Sequence, residues 1–280
     1  MRLKEVRHLL TYSCNLECVH CYLSAEKGKS KVEGFSQEQS DRFYGKFQPE
    51  VVSATGGEPL LETGLVKKIA KSTAMYGGKM ELVTNGFMLT ENLVAELNDL
   101  NPHTFYQISL DGNKTYHNYL RQNSLAFDKA ISAIDTASLY GAFTKVRLTA
   151  TDDNFDQIPS LINLLDSYKR GNIQLVIRPV ISNGRAQKNK LNFQKDFESV
   201  SKLSKLAENI NVEVPDNAGQ CGCGVNTIAI NPKGEIFPCT YFTSKPEFKM
   251  GDMTGDLDSL SEHPKFQSFG GVCFARSIRK

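Results

Sequence analysis

Cys14-Asn15-Leu16-Glu17-Cys18-Val19-His20-Cys21 is the run from which the rest of this chain is best understood. Three cysteines fall within eight residues at C-x3-C-x2-C spacing, directly after a short run of strand character at residues 6–11. In a βα barrel the loop that follows a strand lies on the face where chemistry is done. Three neighbouring thiolates can converge on one inorganic centre. A structural zinc wants four ligands in a closed tetrahedron. The local count here is three unless His20 joins, and His20 sits awkwardly beside Cys21. Three thiolates on a four-iron cluster instead leave one iron open to an exogenous ligand. A partial zinc site and unrelated buried cysteines are the structural alternatives.

Outward from this run, short apolar or β-branched segments alternate with longer amphipathic ones. Strands are expected at residues 6–11, 51–55, 80–84, 104–110, 145–150 and 174–179. Helices are expected near 37–47, 64–76, 91–100, 125–140, 158–168 and 193–209. Six such repeats predict an α/β fold with a parallel sheet. They fall short of the eight of a closed barrel, so a partial (β/α)6 TIM-like barrel fits better. The alternation breaks near residue 210. Residues 227–231 and 235–238 flank Pro232-Lys233-Gly234 and read as a β-hairpin. The expected division is residues 1–210 and a small cysteine-bearing β-hairpin module at 211–280.

Composition narrows the class. The 280 residues are 40% hydrophobic and 23% charged, as in ordinary globular chains. Lys plus Arg is 33 and Asp plus Glu is 31, for a net charge of +2, which gives no broad basic face for nucleic acid. No apolar run spans a bilayer. The opening MRLKEVRHLL leaves no room for a removable signal peptide, so a cytoplasmic location is expected. Seven cysteines at uneven spacing then point to metal binding or catalysis rather than a disulfide framework.

At C-x3-C-x-aromatic-C, with His20 at the aromatic position, the chain resembles radical S-adenosylmethionine (radical SAM) enzymes. The run CNLECVHCY is similar to the branch carrying a C-terminal SPASM or twitch module. Gly56-Gly57-Glu58-Pro59 resembles that family's G-G-E-P, whose backbone receives the SAM ammonium. Two glycines permit close backbone approach, and Glu58 is a negative acceptor. Thr84-Asn85-Gly86 resembles T-N-G, near the adenosyl portion. Ser109-Leu110-Asp111-Gly112 with His117 and Arg121 resembles S-x-D-G…H-x3-R. Ser109 and Arg121 match positions that hold SAM hydroxyl or carboxylate groups, and the arginine fork suits a carboxylate. An exposed helix-start cation is the plain alternative for Arg121; orienting the loop is the alternative for His117, and turn formation for Asp111. Gly184-Arg185-Ala186 resembles the branch's G-R-A, whose backbone approaches adenine.

The other four cysteines, Cys221, Cys223, Cys239 and Cys273, number enough to close a second site. Cys221-Gly222-Cys223-Gly224 and Gly234-x4-Cys239 are similar to the SPASM/twitch pattern. Too few cysteines follow for two full auxiliary clusters. A twitch-like module with one auxiliary [4Fe–4S] cluster is expected, and a structural zinc on the same ligands is the rival. With Cys223 bound that cluster is closed; without it one iron is open.

The resemblance implies a [4Fe–4S] cluster on Cys14, Cys18 and Cys21. It implies bound SAM, and one electron from a flavodoxin or ferredoxin. SAM cleavage then gives a 5′-deoxyadenosyl radical that abstracts a substrate hydrogen. A ribosomally made peptide is the first-choice substrate, to be cross-linked oxidatively or epimerised, with Cys223 and Cys273 the available hydrogen donors. Only 13 residues precede Cys14, so leader recognition is expected from a separate protein. The alternatives are a small molecule of haem- or aminoglycoside-pathway type, a sulfatase-type protein substrate, or a non-catalytic metal scaffold. No nucleic-acid or membrane partner is expected.

Overall fold

In Thr-Lys-Val-Arg-Leu-Thr-Ala, residues 144–150, polar and apolar side chains alternate, and burial alternates with them. A strand sends successive side chains to opposite faces, so one face is apolar and the other carries charge. The structure of the protein, a computed structural model, describes residues 3–28, 34–169, 172–214 and 222–260. The elements run β1 (Glu5–Leu9), α1 (Gln37–Phe47), β2 (Val51–Thr55), α2 (Thr63–Ala74), β3 (Lys79–Thr84), α3 (Glu91–Leu100), β4 (Thr104–Ser109), α4 (Lys114–Arg121) and α5 (Ala126–Leu139). They continue with β5 (Thr144–Ala150), α6 (Ile158–Asp166), β6 (Ile173–Pro179), α7 (Arg185–Lys188), α8 (Phe197–Leu203) and β7 (Asn211–Glu213). The last are β8 (Thr227–Ile230), β9 (Glu235–Phe237), β10 (Gly251–Asp252) and α9 (Leu257–Leu260).

All ten strands form one sheet in the order β10-β9-β8-β1-β2-β3-β4-β5-β6-β7. From β1 to β7 each pairs in parallel with the next, as βα crossovers require. Outward strand residues such as Val52, Leu82, Ile108 and Val146 pack under Phe43, Ile69, Val94 and Ile134 of the helices in one core. Each such side chain contributes about 1.5–3 kcal/mol by leaving water. Inward residues leave a polar lumen. Helix starts are set locally: Ser36 and Gln39 make a capping box for α1, and Asn113 caps α4 by accepting from the Tyr116 N–H.

The alternation read from sequence matches these elements to within a residue or two, and four details differ. Residues 114–121, read as loop, are helix α4, nucleated by the Asn113 cap. Arg121 is therefore at the end of a helix, buried, and not an exposed cation at a helix start. The expected helix at 193–209 is interrupted: α8 begins only where Asp196 caps it, and Phe193 instead packs against Phe155. The alternation runs one strand further than expected, because Val212 of β7 joins the core beside β6. The predicted hairpin is present as β8 and β9, and β8 also pairs in parallel with β1, so its sheet is continuous with the barrel.

Candidate active site

The loop after β1 carries the three cysteines onto the rim of a cavity of about 500 Å³ that fills the lumen. Cys14 and Cys18 are buried and Cys21 is half-buried; all three line the cavity. The loop is fixed from three sides. Val19 N–H donates to the Leu120 carbonyl of α4 at 2.8 Å. Arg185 donates to the Cys18 and Ala25 carbonyls at 2.7 and 2.6 Å. Gly57 and Glu58 N–H donate to the Thr11 and Ser13 carbonyls at 2.8 and 2.9 Å.

That last contact explains the paired glycines. A Cβ on Gly57 would stand 2.1 Å from the Ser13 carbonyl oxygen, and one on Gly56, at φ +138°, 2.4 Å from that of Thr11. The close approach expected toward a ligand is thus made first to the cysteine loop's own backbone. Both glycines line the cavity, whereas Glu58 and Pro59 stand behind its wall. The Glu58 carboxylate accepts from Leu60 N–H, Thr84 Oγ1 and Asn85 N–H at 2.8–3.1 Å. It joins the β2 and β3 loops, and burial pushes its pKa up to about 7 against those donors. Gly184 repeats the theme: its Cβ would meet the Tyr22 and Cys21 carbonyls at 2.5 and 2.7 Å.

Asn85, Ser109 and Arg121 also line the cavity. Asn85 Nδ2 donates to Asn15 Oδ1 at 2.7 Å and lies 3.9 Å from Cys14 Sγ. Arg121 Nε donates to Asp111 Oδ2 at 2.7 Å, and its Nη1 reaches Cys18 Sγ at 3.8 Å. Asp111 is fully buried; burial raises its pKa, but Arg121, with His20 and His117, holds it at about 2. His117 Nδ1 accepts from the Asp111 N–H at 3.0 Å, and burial lowers its pKa to about 4, so it is neutral and orients this loop. His20 lines the cavity with its Nδ1 buried and unpartnered.

The donor set suits an iron–sulfur cluster. Each thiol sulfur has an N–H aimed at it: Leu16 N at Cys14 and Ala25 N at Cys21, both 3.4 Å, and Arg121 at Cys18. Such donors stabilise thiolate sulfur and tune a cluster. Burial pushes Cys14 up to about 12 and raises Cys18 too, so bound metal charge is what would deprotonate them. In the C-terminal hairpin, Cys239 is buried against Cys223. The Cys223 hydrogen bond, helped by the Tyr241 N–H and the Arg7 charge, pulls Cys239 down to about 6. Cys221 and Cys273 lie outside the described residues.

Inward strand positions add groups the motifs did not reveal: Arg7, Glu81, Lys145, Arg147 and Arg178. Tyr22 and Tyr241 make an aromatic wall, their ring centroids 4.7 Å apart. The period-2 placement of charge within otherwise apolar strands was the available signal.

A partial βα barrel whose first loop places three thiols on one cavity with Gly56, Gly57, Asn85, Ser109 and Arg121 has the layout of a cluster-bearing barrel. The chain belongs to the radical SAM superfamily, whose model matches residues 9–165, more than half of its length. It is similar to the antilisterial bacteriocin subtilosin biosynthesis protein AlbA of Bacillus subtilis (strain 168). The identity is 25% over 284 residues, 91% of this chain and 58% of AlbA. It is 32% identical over 164 residues to the mycofactocin maturase MftC of Mycolicibacterium smegmatis (strain ATCC 700084 / mc(2)155), covering 57% of this chain and 41% of MftC. The chain thus spans less than two thirds of these relatives' length. Its fold matches Streptococcus suis SuiB bound to S-adenosylmethionine, at TM-score 0.76 and 16% identity over 95% of this chain and 67% of SuiB. SuiB bound to the precursor peptide SuiA matches at TM-score 0.77 and 16% identity, over 100% and 73%. Among the described residues no helix is long and apolar enough to cross a membrane.

Proposed function

We propose that this chain is a radical SAM enzyme that modifies a peptide. The observation that carries the reading is the gathering of Cys14, Cys18 and Cys21 on one cavity with Gly56, Gly57, Asn85, Ser109 and Arg121. Peptide as substrate is supported by the relatives AlbA and MftC and by the peptide-bound SuiB fold.

In such a loop a [4Fe–4S] cluster with SAM supplies one-electron cleavage of SAM, and the resulting 5′-deoxyadenosyl radical takes hydrogen from a substrate C–H bond. The chain's residues position and enclose that chemistry. The three thiolates would hold the cluster, and the N–H donors at their sulfurs would tune it. The Gly56–Gly57 backbone and Asn85 flank the SAM site. Ser109 and Arg121 face its carboxylate end, with Arg121 kept aligned by Asp111. Glu58, tied to both neighbouring loops, keeps that cradle rigid, and Pro59 starts the turn behind it. Burial of these groups excludes water from the reacting centre.

Residues 1–210 form the radical SAM core in this reading, and 211–280 a twitch-like module sharing its sheet. Cys223 and Cys239, with Cys221 and Cys273, would hold one auxiliary cluster, which when bound would supply an electron acceptor for an oxidative reaction. A flavodoxin or ferredoxin supplies the reducing electron in this reading.

The test is anaerobic reconstitution of wild type and a triple Cys14→Ala, Cys18→Ala, Cys21→Ala variant, with iron and zinc counted and dithionite and SAM then added. About eight irons falling to about four, with 5′-deoxyadenosine made by wild type only, is the expected result. Zinc retained in place of the second four irons would make the hairpin module structural. No iron and no SAM cleavage in folded wild type would overturn the reading.

A further inference from the structure

Among the described residues, most cations lining the lumen beneath the cysteine loop meet a carboxylate or a carbonyl, and Lys4 is exposed to solvent. Arg7 meets Glu5 through two 2.9 Å hydrogen bonds. Lys145 meets Glu81 at 2.9 Å, Arg178 meets Glu213, and Arg121 meets Asp111. Arg185 is committed to two carbonyls. Arg147 lines the same cavity from the middle of β5, half-buried. Among the described residues it has neither a carboxylate nor a hydrogen-bond partner for its guanidinium. The charged groups acting on it are Arg178 and Arg7, of its own sign, and the neutral hydroxyls of Tyr241 and Tyr22 stand near it.

A cation in this position is costly, because burial strips its hydration and two like charges repel it. A cavity keeps such a group where an anion arrives to answer it. Arg7 and Arg178 already have their own carboxylates, in Glu5 and Glu213, which leaves the single charge of the Arg147 guanidinium to be answered. A planar guanidinium fork with one charge to satisfy matches a carboxylate bidentately. Location separates this group from the SAM cradle. The groups acting on Arg147 come from β1, β6 and the residues beside Cys21 and Cys239, while Arg121 and Asp111 serve the β4 side. The Tyr22–Tyr241 wall adjoins it and offers a face for a peptide side chain.

We propose that Arg147 anchors a carboxylate of the substrate peptide, an acidic side chain or the C-terminal carboxylate, against the Tyr22–Tyr241 wall. This rests on the peptide-modifying reading above, but the binding step needs no turnover.

The test uses reconstituted protein with SAM bound and three capped tripeptides: acetyl-Ala-Glu-Ala-amide, its Gln isostere, and acetyl-Ala-Gln-Ala with a free C-terminus. Binding is followed by saturation-transfer NMR in wild type, Arg147→Met and Arg147→Lys. Wild type is expected to bind one of the two acids about tenfold or more tighter than the neutral peptide. Which acid wins separates side chain from terminus. The preference should vanish in Arg147→Met and return in part in Arg147→Lys, with SAM affinity unchanged. The unliganded Arg147→Met protein should melt at the same or a higher temperature than wild type, since an uncompensated cation is gone. No preference for an acid in wild type overturns the proposal. So does a lowered melting temperature in Arg147→Met, which would mark a structural arginine. Loss of SAM affinity with the acid preference intact would assign Arg147 to SAM and also overturn it. If SAM is not cleaved but the Arg147-dependent preference holds, only the radical reading fails. If SAM is cleaved and no preference exists, only this inference fails.

Discussion

Asp111 and Arg121 form a buried ion pair beside the cysteine loop. Asp111 Oδ2 takes the Arg121 Nε–H, and its Oδ1 takes the Thr149 N–H at 2.9 Å from the next strand. Asparagine in its place would keep one acceptor and turn an N–H₂ group toward a buried guanidinium. Asp111→Asn is therefore expected to cost about 3–5 kcal/mol, the range for leaving one partner of a buried pair uncompensated. The pH dependence has a definite sign. The carboxyl sits at about 2 in the folded chain against 3.8 ordinarily, so its contribution is full above about pH 3.8 and is lost as pH falls through about 2. Urea titrations of metal-free protein should show wild type losing its advantage over Asp111→Asn across that window. Equal stability at pH 6 would refute the keystone role. At this scale the sequence was legible where a spacing stands out: the three cysteines could be picked out directly, and Arg121 through its resemblance to a family motif, and all four line one cavity. It was silent on Arg147, because one arginine in an alternating strand carries no spacing of its own. It also did not show the structural contacts of Gly56 with Thr11 and of Glu58 with Thr84 and Asn85, since partners distant in the chain are invisible locally.

The loops after β1 and β2 behave as one element, joined backbone to backbone at Gly56 and Gly57. The neighbour of an added Gly57 Cβ is a carbonyl oxygen at 2.1 Å, which cannot rotate away. Gly57→Ala should push the cysteine loop off β2, so that iron incorporation falls severalfold while far-UV circular dichroism is retained. Gly45 supplies the contrast. It lies exposed in α1 with nothing within 4 Å of an added Cβ, and Gly45→Ala should stabilise by about 0.5–1 kcal/mol with full iron content. Equal iron in the two variants would show that the loop contact is dispensable. The helices and strands that make this frame were legible because periodicity is local: α1, β2 and α3 stand where the pattern puts them. Helix α4 was hidden because Tyr116, Tyr119 and Leu120 give only a short apolar stripe, and Asn113 reads equally as a turn residue or a cap. The edge strand β7 was hidden because three residues are too few to show alternation.

At the scale of the whole molecule, the sheet passes without a break from the barrel into the cysteine-bearing hairpin. Strand β8 pairs with β1 over Glu5–His8, and Ile228, Ile230 and Ile236 belong to the same core as Val6 and Leu10. A division near residue 211 drawn from composition thus falls within a continuous sheet and core, and that continuity predicts that the two parts unfold as one cooperative unit. This matters for the cavity, because Thr240 and Tyr241 line the lumen only if β8 and β9 hold their register against β1. Ile230→Ala tests the coupling. Ile230 is fully buried, and truncating it should cost about 2–5 kcal/mol through lost burial and the cavity left behind. If the hairpin and barrel fold together, the far-UV helical signal, which comes mainly from α1 to α8, must shift to lower denaturant even though the substitution lies in the hairpin. The near-UV tyrosine signal should move with it and give the same midpoint. A helical transition that stays in place while only the near-UV signal shifts would show two separable units. The lumen would then be assembled by docking rather than by a continuous sheet.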